Sequence, residues 1–376
     1  MSIYLDNAAT TQVCPEAVQA ALDAMTVHYG NPSSTHKAGR EAKKLLDTAH
    51  EQVAKALDCA PDEVYFTSCG SEGDNWAILR GAEYNARHGK HIISSAVEHS
   101  AVLKSLALLE TQGFEVTRLA PQPDGSIAKE DVLAALRPDT CLVSLMMVQN
   151  ETGAITDIAG IAKAVKEKNP NTLFHTDAVQ AFMKIPFSAK TLGTDMISIS
   201  GHKIHAPKGI GALYIRKGLN LPSYILGGGQ EQGKRAGTEA LPQIAAFGAA
   251  CESARKAFPE YSARLAVLRQ HAVERLTAEN PELTVIGGGA PQVLCISLPG
   301  WRSEPLMNCL EAEDIYVSRG SACKKGGRSH VLEAIGVRSE VIDGALRVSF
   351  SRYTTADEVD TFCDALRSAR ERLRHR

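Results

Sequence analysis

Apolar and polar positions along residues 15–215 alternate between two rhythms. Helix-like patterns cover 15–28, 39–57, 72–88, 101–112, 129–136 and 158–168. Between them lie short apolar runs: Val64-Tyr65-Phe66-Thr67, His91-Ile92-Ile93-Ser94, Cys141 to Met146, Leu173-Phe174-His175-Thr176 and Met196-Ile197-Ser198-Ile199. Strands separated by helices of this length predict crossover units and a mostly parallel sheet. Gly211-Ala212-Leu213-Tyr214-Ile215 follows Lys203 too closely for a helical crossover, so an antiparallel neighbour is expected there.

The pattern changes after Pro222. Gly227-Gly228-Gly229 opens a loop, and a long helix is predicted over 241–256. Helices over 264–279, 304–313 and 356–373 follow, with strands near 292–298 and 346–350. The chain of 376 residues is too long for one ordinary core. It is read as an α/β large domain over 1–254 and a small α+β C-terminal domain over 255–376, with the extreme N-terminus packing on the small domain.

Composition excludes several classes. Hydrophobic residues make up 44% and charged residues 22%, a globular rather than disordered balance. A net charge of −2 gives no basic field for nucleic acid, and no polybasic run or apolar stretch suggests a membrane. The basic run at 367–376 reads as a solvated helix end. Nine cysteines without close spacing argue against a disulfide framework or a resident metal, and the start carries Asp6 where a secretory signal needs apolar residues. A cytoplasmic protein with reduced thiols is expected.

Sites in open parallel sheets gather at the carboxyl ends of strands. Five consecutive predicted strands end in polar groups: Ser68-Cys69-Gly70-Ser71-Glu72, Glu98-His99, Gln149-Asn150-Glu151, Asp177 to Gln180, and Ser200-Gly201-His202-Lys203. The first is a small-residue turn opening a helix, whose backbone N–H groups suit a phosphate. Singly, His99 reads as a satisfied histidine and Asp177 as a cap; together with Lys203 they make a site. The cofactor that needs this set is pyridoxal 5'-phosphate. It requires a lysine for the Schiff base (Lys203), a carboxylate for the pyridine nitrogen (Asp177) and a flat side chain over the ring (His99). Gly70, Ser71, Ser200 and His202 are assigned to the phosphate.

A second candidate is Cys323, in Arg319-Gly320-Ser321-Ala322-Cys323-Lys324-Lys325-Gly326-Gly327-Arg328. Its small-residue loop is adaptable and the flanking cations favour the thiolate, so it reads as a nucleophile. Cys69 is either a second redox-sensitive thiol or a packed helix-entry residue.

Tyr4 to Thr11, Gly30-Asn31-Pro32-Ser33-Ser34, Glu98-His99, Gln149 to Gly153, His175 to Gln180, Ser200 to Lys203, Gly227 to Glu231 and Arg235 to Glu239 together resemble the cysteine desulfurases. These are class V aminotransferase-type enzymes of pyridoxal-phosphate fold type I. The likeness runs from residue 4 to about residue 360, and Gly320-Ser321-Ala322-Cys323 is similar to the nucleophile loop of the iron–sulfur cluster and nitrogenase-type branch.

The resemblance implies a seven-stranded-type sheet and conversion of L-cysteine to L-alanine. Sulfur passes to Cys323 as a persulfide and then to acceptor proteins for cluster assembly or tRNA thiolation. It implies that Gln180 bonds the cofactor's phenolic oxygen, that Asn150 contacts ring and substrate, and that Arg347 and Asn31 hold the substrate carboxylate. Lys203 and His99 carry protons. Thr238 is implied to reach the phosphate of a neighbouring subunit, hence a homodimer. Any cluster contact of Cys323 is transient. Three departures stand out: the segment after Cys323 is short for the family, Arg319 stands where a small residue is common, and Ala240 replaces a common asparagine. The alternatives are a selenocysteine lyase of the same fold, an ordinary aminotransferase, and a non-enzymatic partner binding cofactor or scaffold.

Overall fold

The computed structural model describes residues 2–319 and 328–373. Twelve strands are found among the described residues. They are β1 (Ile3–Tyr4), β2 (Val64–Thr67), β3 (His91–Ser95), β4 (Glu115–Leu119), β5 (Thr140–Ser144), β6 (Leu173–Asp177), β7 (Met196–Ser200), β8 (Gly211–Ile215), β9 (Thr284–Ile286), β10 (Val293–Ser297), β11 (Ile315–Tyr316) and β12 (Ala345–Ser349). Seven form one sheet in the order β2-β8-β7-β6-β5-β3-β4. Strands β3 to β7 run parallel, and β8 is antiparallel to both neighbours, as the short link from Lys203 predicts.

The unbroken apolar runs are explained by helices on both faces. Ile93, Val143, Phe174 and Ile197 join one core with residues of the helices Pro15–Thr26 and Lys37–Leu57, such as Ala17, Leu46 and Val53. Their neighbours Ile92, Leu142, Leu173 and Met196 point the other way, against Trp76, Val102 and Leu106. Strand β4 escapes the sequence reading because it is a sheet edge: Glu115-Val116-Thr117-Arg118-Leu119 carries two charges and buries only its last residue fully.

Two helix predictions need correction. Residues 72–88 are not one helix but a succession, with a wide turn at Trp76–Arg80 between Gly70–Asn75 and Gly81–Asn85. Residues 241–256 and 264–279 are one helix, Leu241–Glu279. Pro259 inside it removes an N–H and argues locally for a break. Packing overrides it: Ile244 and Phe247 are buried in the first core and Tyr261, Leu265 and Leu276 in another. That other core covers the three-stranded sheet β12-β10-β9 and takes in Leu5, while β1 pairs in parallel with β11.

Candidate active site

The carboxyl ends of β2, β3, β5, β6 and β7 share one edge of the large sheet, and the candidate residues that follow those strands stand there. The turn after β2 is shaped by close approach. A Cβ on Gly70 would lie 2.7 Å from Val179 Cγ2, and one on Gly73 would lie 3.0 Å from Ser198 Oγ. Glu72 fixes this turn, accepting from Ser68 N at 2.7 Å and from Arg235 Nε at 2.9 Å.

Lys203 ends a short turn after β7. Gly201, which donates to Ile210 O at 3.0 Å, is pressed between Ile210 and Ala206. The lysine Nζ donates to the carbonyls of Ala8 and Ala9 at 2.6 and 2.7 Å. Thr11 ties the same N-terminal segment down: its N–H and hydroxyl donate to His202 O, and its Oγ1 accepts from His205 N at 2.8 Å. Gln180 Nε2 also donates to Ala8 O at 2.9 Å, while its Oε1 accepts from Lys184 Nζ at 2.9 Å. Burial and the charges of Lys203 and Arg347 push the Lys184 amine well below the ordinary lysine range.

Asp177 closes β6, fully buried, with Oδ1 accepting from Val179 N at 2.9 Å. Burial raises its carboxyl, while the charges of His99 and Lys203 oppose that rise. His99 caps the helix Ser100–Thr111: its Nδ1 accepts from Ala101 N at 3.2 Å, which leaves Nε2 as the ring's donor. Behind Asp177, His175 bridges Ser144 and Ser198 at 2.9 Å each, and its Nε2 lies 3.7 Å from Asp74. Burial lowers His175 to about 3 and raises Asp74 strongly. Glu98 accepts from Ser95 Oγ and Met146 N through Oε1, and burial pushes it up to about 8.

Arg347 sits mid-strand in β12, its side chain 3% exposed. Its guanidinium donates to Asn150 O at 3.0 Å and to Asp6 Oδ1 at 2.8 Å. Its backbone exchanges two bonds with Ser318, and Ser329 Oγ donates to Glu151. The two stems of the segment 320–327 thus rest on the strand and loop that hold Arg347.

The predicted set is therefore brought together in large part: Lys203, Asp177, Gln180, His99, Asn150 and Gly70 stand at one edge of the large sheet, and Arg347 reaches them from β12 through the Asn150 carbonyl. Ser200 joins them with a buried hydroxyl that has no hydrogen-bond partner among the described residues. His202 Nδ1 lies 3.2 Å from Thr10 Oγ1, and burial with neighbouring lysines lowers the ring to about 4. Ser71, Asn31 and Thr238 are exposed, and Asn31 Oδ1 accepts from Ser33 N at 2.9 Å. Cys323, Lys324 and Lys325 lie outside the described residues. Two of the flanking cations are engaged by acids, Arg319 by Glu304 at 3.7 Å and Arg328 by both oxygens of Asp343. Cys69 is half-buried at the helix entry. Sequence reasoning assigned no role to Asp6, Lys184 or Asp74. Lys184 carried a visible signal, a cation inside the apolar stretch Phe182-Met183-Lys184-Ile185.

The chain belongs to the aminotransferase class-V family, whose pattern matches residues 3–362. Within it, the chain is 42% identical to a cysteine desulfurase IscS of Methanosarcina thermophila, over 100% of this chain and 93% of that protein. It is 43% identical to a cysteine desulfurase of Trichormus azollae, over 99% and 94% of the two chains. Among solved structures, a NifS-like protein superposes with a TM-score of 0.94 at 37% identity, covering 99% of this chain and all of the other. A structure described as SspA in complex with cysteine gives 0.82 at 32% identity, covering 94% of this chain and all of that one.

Proposed function

We propose that the chain is a pyridoxal-phosphate-dependent cysteine desulfurase, moving the sulfur of L-cysteine onto Cys323 and releasing L-alanine. The observation that carries this reading is the convergence of Lys203, Asp177 and His99 at one sheet edge, facing Arg347 from the other sheet.

The residues fit the cofactor. The Gly70 turn has no room for a Cβ beside Val179, which suits close approach of a phosphate to backbone N–H groups, and the Ser200 hydroxyl there is buried and unpartnered among the described residues. Gly70, Ser71, Ser200 and His202 would hold the phosphate, with Thr238 reaching that of a second subunit in a homodimer. Asp177 would pair with the pyridine nitrogen, His99 would cover the ring, Gln180 Nε2 would donate to the phenolic oxygen, and Lys203 would carry the covalent link. When bound, the cofactor supplies an electron sink for carbanion chemistry at the amino acid's α-carbon.

The remaining work falls to side chains. Arg347, with Asn150 and Asn31, holds the substrate carboxylate; a buried planar guanidinium suits bidentate binding. Lys203, once displaced, moves the α-proton, and His99 donates through Nε2. The Cys323 thiolate attacks the substrate sulfur: an S–S bond forms as the C–S bond breaks, the electron pair stays on carbon, and a proton completes alanine. The persulfide then passes to acceptor proteins for cluster assembly or tRNA thiolation in the cytoplasm. Among the described residues no helix is long and apolar enough to cross a membrane.

The test is sulfide and alanine release from L-cysteine with a reductant, wild type against Cys323→Ala, with the yellow cofactor verified in both. Equimolar products lost in the variant support the reading. Full activity in Cys323→Ala overturns the sulfur route and directs the next assay to selenocysteine.

A further inference from the structure

A cavity of about 30 Å³ between the two cores is lined by Lys203 and His205 but by neither His99 nor Asp177. A water needs about 10–15 Å³ by this kind of measure, so there is room for two or three waters, or one monatomic ion with a water. Three cationic side chains line it, Lys184, Lys203 and Arg352, and no carboxylate does. Arg352 is 8% exposed, and its Nε and Nη2 are buried with no hydrogen-bond partner among the described residues. Its Nη1 donates to Ser253 Oγ at 3.2 Å, a hydroxyl that in turn donates to Glu16. Lys184 is equally buried and makes its hydrogen bond to the neutral Gln180 amide. The guanidinium also lies over the Tyr353 ring at 4.9 Å and feels the charge of Glu16, but among the described residues no carboxylate contacts it, so its desolvation is only partly offset.

The other groups facing the cavity supply no negative charge. His205 donates through Nδ1 to Gln12 O, Tyr261 OH donates to Met183 O, and Gln292 offers a neutral Oε1 with no partner among the described residues. We propose that the cavity is a binding site for a small inorganic anion of the halide class, held by Arg352 and Lys184 with one water bridging to Gln292. Such an ion pairs the buried guanidinium, keeps Lys184 protonated, and offsets the mutual repulsion of Lys184 and Arg352. It thereby sets the charge beside Lys203 without touching substrate.

Holoenzyme crystals grown without chloride and soaked in bromide are expected to show an anomalous peak within hydrogen-bond reach of Arg352 and Lys184. In solution, bromide or chloride added against gluconate at constant ionic strength should raise the melting temperature saturably, by several degrees. Arg352→Met should abolish that dependence, and Lys184→Met, the second variant should the first fail to fold, should weaken it at least tenfold. A cavity holding water alone overturns the proposal. So does a peak without saturable stabilisation, which marks binding at crystal concentration only, and so does halide stabilisation that survives both substitutions.

Discussion

Arg347 and Asp6 are joined at 2.8 Å across 341 residues of sequence, so the guanidinium proposed to clamp substrate is already paired with a carboxylate of the N-terminal strap. Asp6 takes one side of the fork and the Asn150 carbonyl part of the rest. Arg347→Lys keeps the charge but loses the fork. It should raise the KM for L-cysteine about tenfold to a hundredfold, about 1.4–2.8 kcal/mol, with the cofactor retained. Asp6→Asn should instead lower the melting temperature, because it strands a buried cation. Steady-state kinetics and a melting curve separate the two.

Glu98 makes stability depend on pH in a stated direction. Its folded value of about 8 lies above the ordinary glutamate value, so the native state binds the extra proton. That contribution is complete below the unfolded value near 4.5 and is lost as pH rises toward 8. Glu98→Gln keeps an acceptor for Ser95 and Met146 and cannot ionise. It should be more stable than wild type at pH 8 and no more stable at pH 4. His175, lowered to about 3, acts oppositely: its contribution is present above the ordinary histidine value and lost as pH falls. Denaturant melts across pH 4–9 would show both arms, and an E98Q curve parallel to wild type would remove the Glu98 assignment.

Gly70→Ala places a methyl group 2.7 Å from Val179 Cγ2. The side chain must move, and overpacking of this kind costs about 1–3 kcal/mol. Cofactor affinity should fall roughly tenfold to a hundredfold while the apo fold persists, as read by fluorescence titration of the apoprotein. Wild-type affinity would show that the turn does not receive the phosphate.

Ser329 both caps the helix His330–Ala334 and donates to Glu151, one residue past the Asn150 that holds Arg347. Ser329→Ala should cost about 1 kcal/mol of local stability. Its larger expected effect is on kcat, measured as slower persulfide formation in a single turnover with KM and the cofactor spectrum unchanged. Ser329→Thr should restore most of it.

The sheet core was legible because its strands are apolar on both faces and are punctuated by Gly70, Glu98, Asp177 and Lys203. The edge strand β4 was not, since its solvated positions resemble a loop. The long helix was misread at Pro259 because a local rule was outweighed by burial in two cores, which no window of sequence displays. Lys203, Asp177 and His99 were visible as residues following strands. Asp6 was not, because its partner lies at the far end of the chain, and Lys184 needed the structure to show Gln180 beside it.

The N-terminal strap has a consequence for synthesis. Leu5 N and O meet Tyr316 and Ser349, Asn7 reaches Ser349, and Ala8 and Ala9 receive the Lys203 amine. Residues 5–7 are thus made long before Tyr316 and Ser349, the residues they are seated against. A nascent chain that has passed Lys203 owns the lysine but lacks the β11 and β12 strands against which its own beginning is anchored. The strap therefore stays unpaired with β11 and β12 until both have been made.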